Sequence, residues 1–167
     1  AIHHDGRVEP VLLGHGSTTV PSAVWVGPNG DRLVGDAALR RGVTEPERLA
    51  REFKRRLGDD VPLVLGGTPV SADQLMSTML QWIVERVTAE QGAPPSAVTV
   101  THPANWGSFR REILANAVAA AGVLDATLLS EPEAAALHYA STGRVRDGDV
   151  VAVYDLGGGT FDIALLR

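Results

Sequence analysis

Val150-Val151-Ala152-Val153-Tyr154-Asp155-Leu156-Gly157-Gly158-Gly159-Thr160-Phe161-Asp162-Ile163-Ala164-Leu165-Leu166 is the stretch whose reading decides the fold. Two apolar runs rich in β-branched residues flank three consecutive glycines. One carboxylate leads in, and a hydroxyl and a second carboxylate lead out. The runs read as buried strands, and the glycines as a turn whose backbone takes conformations a Cβ would forbid. Bare backbone in a tight turn lets several N–H groups converge on one anion, which is how proteins cradle phosphates. Asp155 adds a carboxylate that holds Mg²⁺ directly or through its waters. A plain β-hairpin would also explain three glycines, but a hairpin turn has no need of Asp155, Thr160 and Asp162.

Upstream, strands and helices alternate. Residues 97–101 read as a buried strand running into His102-Pro103-Ala104-Asn105-Trp106. A helix from about Ser108 to Ala121 follows, packing Phe109, Ile113, Leu114, Ala117 and Val118 and stopping at Gly122. Residues 126–129 are another strand. Ser130 and Glu133 form a capping box for a last helix, with Pro132 in its first turn, and Asp147-Gly148-Asp149 turns the chain into the opening stretch. The order strand, helix, strand, helix, strand, strand implies an α/β layer architecture, a mixed sheet flanked by helices.

The first third is richer in strands. Asp5-Gly6 is a hairpin signal between Ala1-Ile2 and residues 8–13. Residues 20–26 make a second strand, with Pro21 starting it at an edge. Pro28-Asn29-Gly30-Asp31 turns it back into Arg32-Leu33-Val34. Residues 35–42 form a short helix packing Ala37, Ala38 and Leu39. Thr44-Glu45-Pro46-Glu47 then reads as the start of a helix carrying Leu49, Phe53 and Leu57 on one face and ending at Gly58. Its Arg51, Lys54, Arg55 and Arg56 read by themselves as a solvated basic face. A short strand pair turns at Gly66-Gly67. Ser71 and Gln74 then cap a long helix over residues 71–90, with Leu75, Met76, Met79, Leu80, Ile83, Val84 and Val87 at helical period.

The 167 residues suffice for one domain with a sizeable core. A net charge of -5 argues against nucleic acid or an anionic membrane as the main partner. The absence of cysteine excludes disulfides and thiolate metal sites and is compatible with a cytoplasmic home. No apolar run reaches membrane-spanning length, and no signal-peptide pattern opens the chain. His3, His4 and His15 lack ligand spacing. Both ends read as cut, since Ala1 opens without a methionine or cap and Arg167 stops inside a strand. The expectation is one piece of a longer protein.

Asp155-Leu156-Gly157-Gly158-Gly159-Thr160-Phe161-Asp162 resembles the second phosphate loop of the actin-like (ribonuclease H-like) ATPases, and most closely that of the heat shock protein 70 (DnaK-type) chaperones. Three further segments agree in order. Residues 97–121 resemble the family's strand, Pro-Ala and helix. Leu129-Ser130-Glu131-Pro132-Glu133-Ala134-Ala135-Ala136 resembles its Asn-Glu-Pro-Thr-Ala-Ala-Ala segment. Phe53-Lys54-Arg55-Arg56-Leu57-Gly58 is similar to its Ile-Lys-Arg-Leu-Ile-Gly segment. Several short motifs agreeing in order carry far more weight than any one.

The resemblance implies residues 1–167 as the N-terminal lobe of an actin-like ATPase domain. The first phosphate loop would lie upstream, and the adenosine-binding half downstream. It implies ATP/ADP, Mg²⁺ and a monovalent ion such as K⁺ as cofactors. Gly157, Gly158 and Gly159 would offer donors to the β- and γ-phosphates, and Thr160 its hydroxyl to the γ-phosphate. Asp155 would hold Mg²⁺ through its water shell, and Asp162 would assist the monovalent ion. Lys54 and Glu131 would place or polarise the attacking water, while Pro103 and Arg111 would couple nucleotide state to a partner domain. Implied partners are the remaining ATPase lobe, a C-terminal domain, unfolded polypeptide clients and co-chaperones, with a role in stress response and protein folding. The fragment alone would bind ATP feebly without turning it over.

Each assignment has a plainer counterpart. Glu131 could serve only the helix N-terminus, Glu133 the capping box, and Pro103 the end of a strand. His102 and Asn105-Trp106 depart from the family's Val-Pro-Ala-Tyr-Phe, and Trp106 reads as packing. A sugar kinase, a filament-forming actin relative and a non-catalytic nucleotide-sensing scaffold are the rival readings on the same fold.

Overall fold

The computed structural model describes residues 1–4, 7–14, 16–146, 148–156 and 161–167. Strand β1 (Ile2–His4) pairs antiparallel with β2 (Arg7–Glu9), so the expected opening hairpin is present, although its second strand stops well short of Leu13. The Asp5-Gly6 turn lies outside the described residues. Strand β3 (Ala23–Val26) is buried at every position between β4 (Arg32–Val34) and β5 (Leu49–Arg51), antiparallel to both. It is therefore a central strand, not the edge strand that Pro21 suggested. The proline stands just outside the ladder, where its missing N–H costs no sheet bond. Helix α1 (Asp36–Arg41) buries Ala38 against Ala23 and Trp25.

The helix expected over residues 46–57 is replaced by a 3-10 turn (Pro46–Arg48), strand β5 and a second 3-10 turn (Phe53–Arg56). Leu49, Ala50 and Arg51 take ladder positions opposite Trp25, Val24 and Ala23. Glu52 then breaks the strand in the left-handed region, with φ 51°. Apolar spacing does place Phe53 and Leu57 in the core, but it is Ala50 that is buried with Phe53, and Leu49 is only partly buried.

Strands β6 (Leu63–Leu65) and β7 (Thr68–Val70) form the expected hairpin. Helix α2 (Ala72–Gln91) begins with both halves of the Ser71–Gln74 capping box in place and ends at Gly92 in the left-handed conformation. Leu75 on this helix is fully buried, and Met76 packs against both larger apolar clusters. One cluster lies under β3 and the second 3-10 turn; the other joins Leu57, Trp106, Leu114 and Val118.

Strand β8 (Val98–His102) runs parallel to β9 (Ala126–Ser130), joined through α3 (Ser108–Ala120). Helix α4 (Glu131–Ser141) follows directly, then the antiparallel hairpin of β10 (Val151–Leu156) and β11 (Phe161–Leu166). This is α/β architecture with parallel and antiparallel pairing both represented. Among the described residues, however, the strands form one three-stranded sheet and four separate pairs, not one continuous mixed sheet.

Three burial expectations need correction. β8 alternates between half-buried and exposed positions before His102, because α3 and the second cluster cover only one of its faces. Phe109 is 62% exposed, since α3 turns Leu114, Ala117 and Val118 inward instead. β10 and β11 are not buried on both faces: α4 packs against the hairpin, while Tyr154 and Leu165 on its other face are 69% and 73% exposed. Among the described residues no helix is long and apolar enough to cross a membrane.

Candidate functional site

Lys54 sits in the middle of a clamped turn. Phe53, one residue before it, is fully buried in the cluster beneath β3, and Leu57, three residues after, is buried in the cluster around Trp106. The chain leaves at Gly58 with φ 84°, in the left-handed region that favours glycine, and a Cβ there would press on the Ile113 side-chain tip at 2.9 Å. Two anchors in two clusters fix the turn and leave the lysine stem pointing out between them.

Glu131 is fixed by a different device. It is the first residue of α4, immediately after the N-cap Ser130. The Ser130 hydroxyl accepts from the Glu133 N–H at 3.3 Å, and the Ser130 N–H donates to Glu133 Oε2 at 3.0 Å. The hydroxyl also donates to that same carboxylate oxygen at 2.5 Å. These bonds hold the Glu133 carboxyl below its ordinary value of 4.5, the side-chain bond from Ser130 counting most, then the backbone bond, with a lesser pull from nearby His102; desolvation opposes them. Glu133 is thus engaged in capping. Glu131, two residues earlier, is left to reach across the fold.

It reaches Lys54. The ammonium donates to Glu131 Oε1 at 2.6 Å, across 77 residues of sequence. Both side chains remain partly open to solvent, at 43% for Lys54 and 24% for Glu131. One bond uses one of three ammonium donors and one of two carboxylate oxygens. A pair in that state can orient a water molecule or meet an anionic oxygen while still holding itself together.

The floor of the pair is aromatic. The Lys54 ammonium lies 5.9 Å from the centroid of the Trp106 ring. Trp106 is buried in the cluster with Leu57, Leu114 and Val118, and its ring is parallel to the imidazole of His102, at 6.3 Å and 7°. His102 is the buried polar side chain among the described residues. Its Nδ1 stands 2.9 Å from the Pro103 carbonyl, and since a carbonyl only accepts, that nitrogen carries the proton.

Pro103 is buried next to His102, whereas Arg111 is exposed in the first turn of α3. Asp155 and Asp162 occupy directly opposed register positions of β10 and β11. Their side chains lie outside the described residues, as do Gly157, Gly158, Gly159 and Thr160. Helix α4, which begins at Glu131, packs against this hairpin, so one short helix joins the Lys54–Glu131 pair to the glycine-turn element.

Two features escaped the motif reading. Trp106 and His102 were legible as departures from a pattern, but their stacking under Lys54 comes only from the fold. The other is plain in the composition: Lys54 is the sole lysine among fifteen Lys and Arg residues. Every other Lys or Arg position carries arginine, whose planar guanidinium differs from the compact, strongly hydrated ammonium of Lys54. Compared with known families, the chain matches the family described as Hsp70 protein over residues 60–167, a span that includes Pro103, Arg111, Glu131 and the glycine turn and begins just after Lys54.

Proposed function

This chain belongs to the Hsp70 family, and from that premise we propose that it forms one jaw of an ATP-hydrolysing cleft, the N-terminal lobe of an actin-like nucleotide-binding domain. In this reading Gly157, Gly158 and Gly159 present backbone donors to the β- and γ-phosphates, and Thr160 adds its hydroxyl. Asp155 holds Mg²⁺ through water, and Asp162 assists a monovalent cation such as K⁺. Lys54 and Glu131 hold and polarise the attacking water. Phosphoryl transfer asks chiefly for such positioning and charge neutralisation.

The observation that carries the reading is the 2.6 Å bond between Lys54 and Glu131. It ties a residue outside the matched span to one inside it, and it brings together the two side chains that the family resemblance assigns to the water. The donor set also suits a metal–nucleotide complex. Carboxylate oxygens are the ligands of hard divalent cations, and the hairpin register sets two acidic residues, Asp155 and Asp162, opposite one another in the sequence of the two strands. When bound, Mg²⁺ supplies neutralisation of the phosphate charge.

The reading extends to partners through Pro103 and Arg111, which would pass nucleotide state to a C-terminal domain and so to polypeptide clients and co-chaperones. The test is single-turnover ATP hydrolysis by the full-length protein. Lys54→Met and Glu131→Gln should each lower the rate by roughly 10²–10⁴-fold, the range for a positioned proton-handling group, while calorimetric ATP affinity changes little. The double variant should be scarcely slower than either single one, because the two act as a unit. Wild-type hydrolysis in both single variants would overturn the assignment.

A further inference from the structure

We propose that Trp106 is a positioning residue for Lys54: its indole face holds the ammonium over Glu131, and His102 holds the indole. The proposal rests on the reading of Lys54 as part of the hydrolytic site, and deepens it. An exposed lysine stem has four rotatable bonds, and one exposed ion pair seldom fixes such a chain. At 43% exposure Lys54 is in that position, yet its ammonium sits within bonding distance of Glu131 and within 5.9 Å of an indole centroid. A ring face attracts a cation by its quadrupole, most strongly for tryptophan, at separations up to about 6 Å.

The indole is in a position to act as a fixed surface. It is only 8% exposed, packed among Leu57, Leu114 and Val118, and Leu57 belongs to the same turn as Lys54. Parallel stacking on His102 restrains its plane, and His102 is itself tied by Nδ1–H to the Pro103 carbonyl. Platform and lysine are thus built on one rigid cluster. Ion pair and ring face together define where the ammonium stands, which neither does alone.

The test begins with the wild-type protein, and the indole itself is left intact in its first step. With lysine labelled at the ε-carbon, and Lys54 assigned by loss of its signal in Lys54→Arg, the ε-methylene protons should be displaced upfield by the indole ring current. An undisplaced signal overturns the proposal. Trp106→Leu should abolish the displacement and lower kcat for ATP by about 2- to 30-fold, the factor to which a cation–π contact converts, with KM unchanged. Trp106→Phe, which restores a ring face, should recover most of both. A folded Trp106→Leu protein with wild-type kcat overturns the proposal. If instead the wild-type protein hydrolyses no ATP, the functional reading falls, while the ring-current measurement still decides the placement of Lys54.

Discussion

Glu131 and Glu133 are the same residue type two positions apart, and the fold separates their tasks. Glu133 closes the capping box on Ser130, and Glu131 pairs with Lys54. The Ser130 bonds lower the Glu133 pKa in the folded chain. A carboxyl so lowered contributes stability that is complete above its unfolded value and is lost as pH falls through the folded one. Stability measured against Glu133→Gln should therefore favour the wild type at neutral pH. The difference should vanish in acid, below the 4.5 that marks the ordinary carboxyl, as followed by thermal unfolding at a series of pH values. The Lys54–Glu131 pair should behave otherwise. Because both partners are partly exposed, a double-mutant cycle on unfolding should return only ~0.2–1 kcal/mol. Its removal should nonetheless cost orders of magnitude in turnover, so function and stability separate cleanly at this pair.

At the scale of elements, the segment from Pro46 to Leu57 is the most instructive. Its apolar spacing fits a helix, and the two end positions of that pattern, Phe53 and Leu57, are indeed buried. Residues 49–51, however, complete the ladder beside β3, and the hydrogen bonds of a buried central strand outweigh a marginal helical preference worth tenths of a kcal/mol per residue. The left-handed Glu52 is the joint that permits this. Glu52→Val should cost more than about 1 kcal/mol in urea unfolding, since a β-branched side chain is a true outlier there. Glu52→Asn should be close to neutral. Helix α2 shows the opposite case, in which local signals sufficed. Its capping box was readable as Ser71 and Gln74 and is present in full. Ser71→Ala should cost ~1 kcal/mol, with hydrogen exchange accelerating first at the amides of the first turn.

Over the whole molecule, the second 3-10 turn staples two apolar clusters together, Phe53 in one and Leu57 in the other, and holds Lys54 between them. Phe53→Ala should cost ~3–5 kcal/mol through the cavity it leaves. On the proposed reading it should also slow ATP turnover, because the lysine beside it in the chain loses its anchor. Leu165→Ala, on the uncovered face of the last hairpin, should change stability by less than about 0.5 kcal/mol. The sequence by itself determined the α/β class, the two capping boxes and the pairing of β10 with β11. All of these depend on residues within a turn or two of one another, where spacing and backbone chemistry act directly. Only the tertiary structure decided that residues 49–51 form a strand, that the last hairpin buries one face, and that Lys54 meets Glu131 above a stacked indole. Each of those depends on which distant surface is available to bury apolar area or complete a ladder, and that competition is settled only when the whole chain has packed.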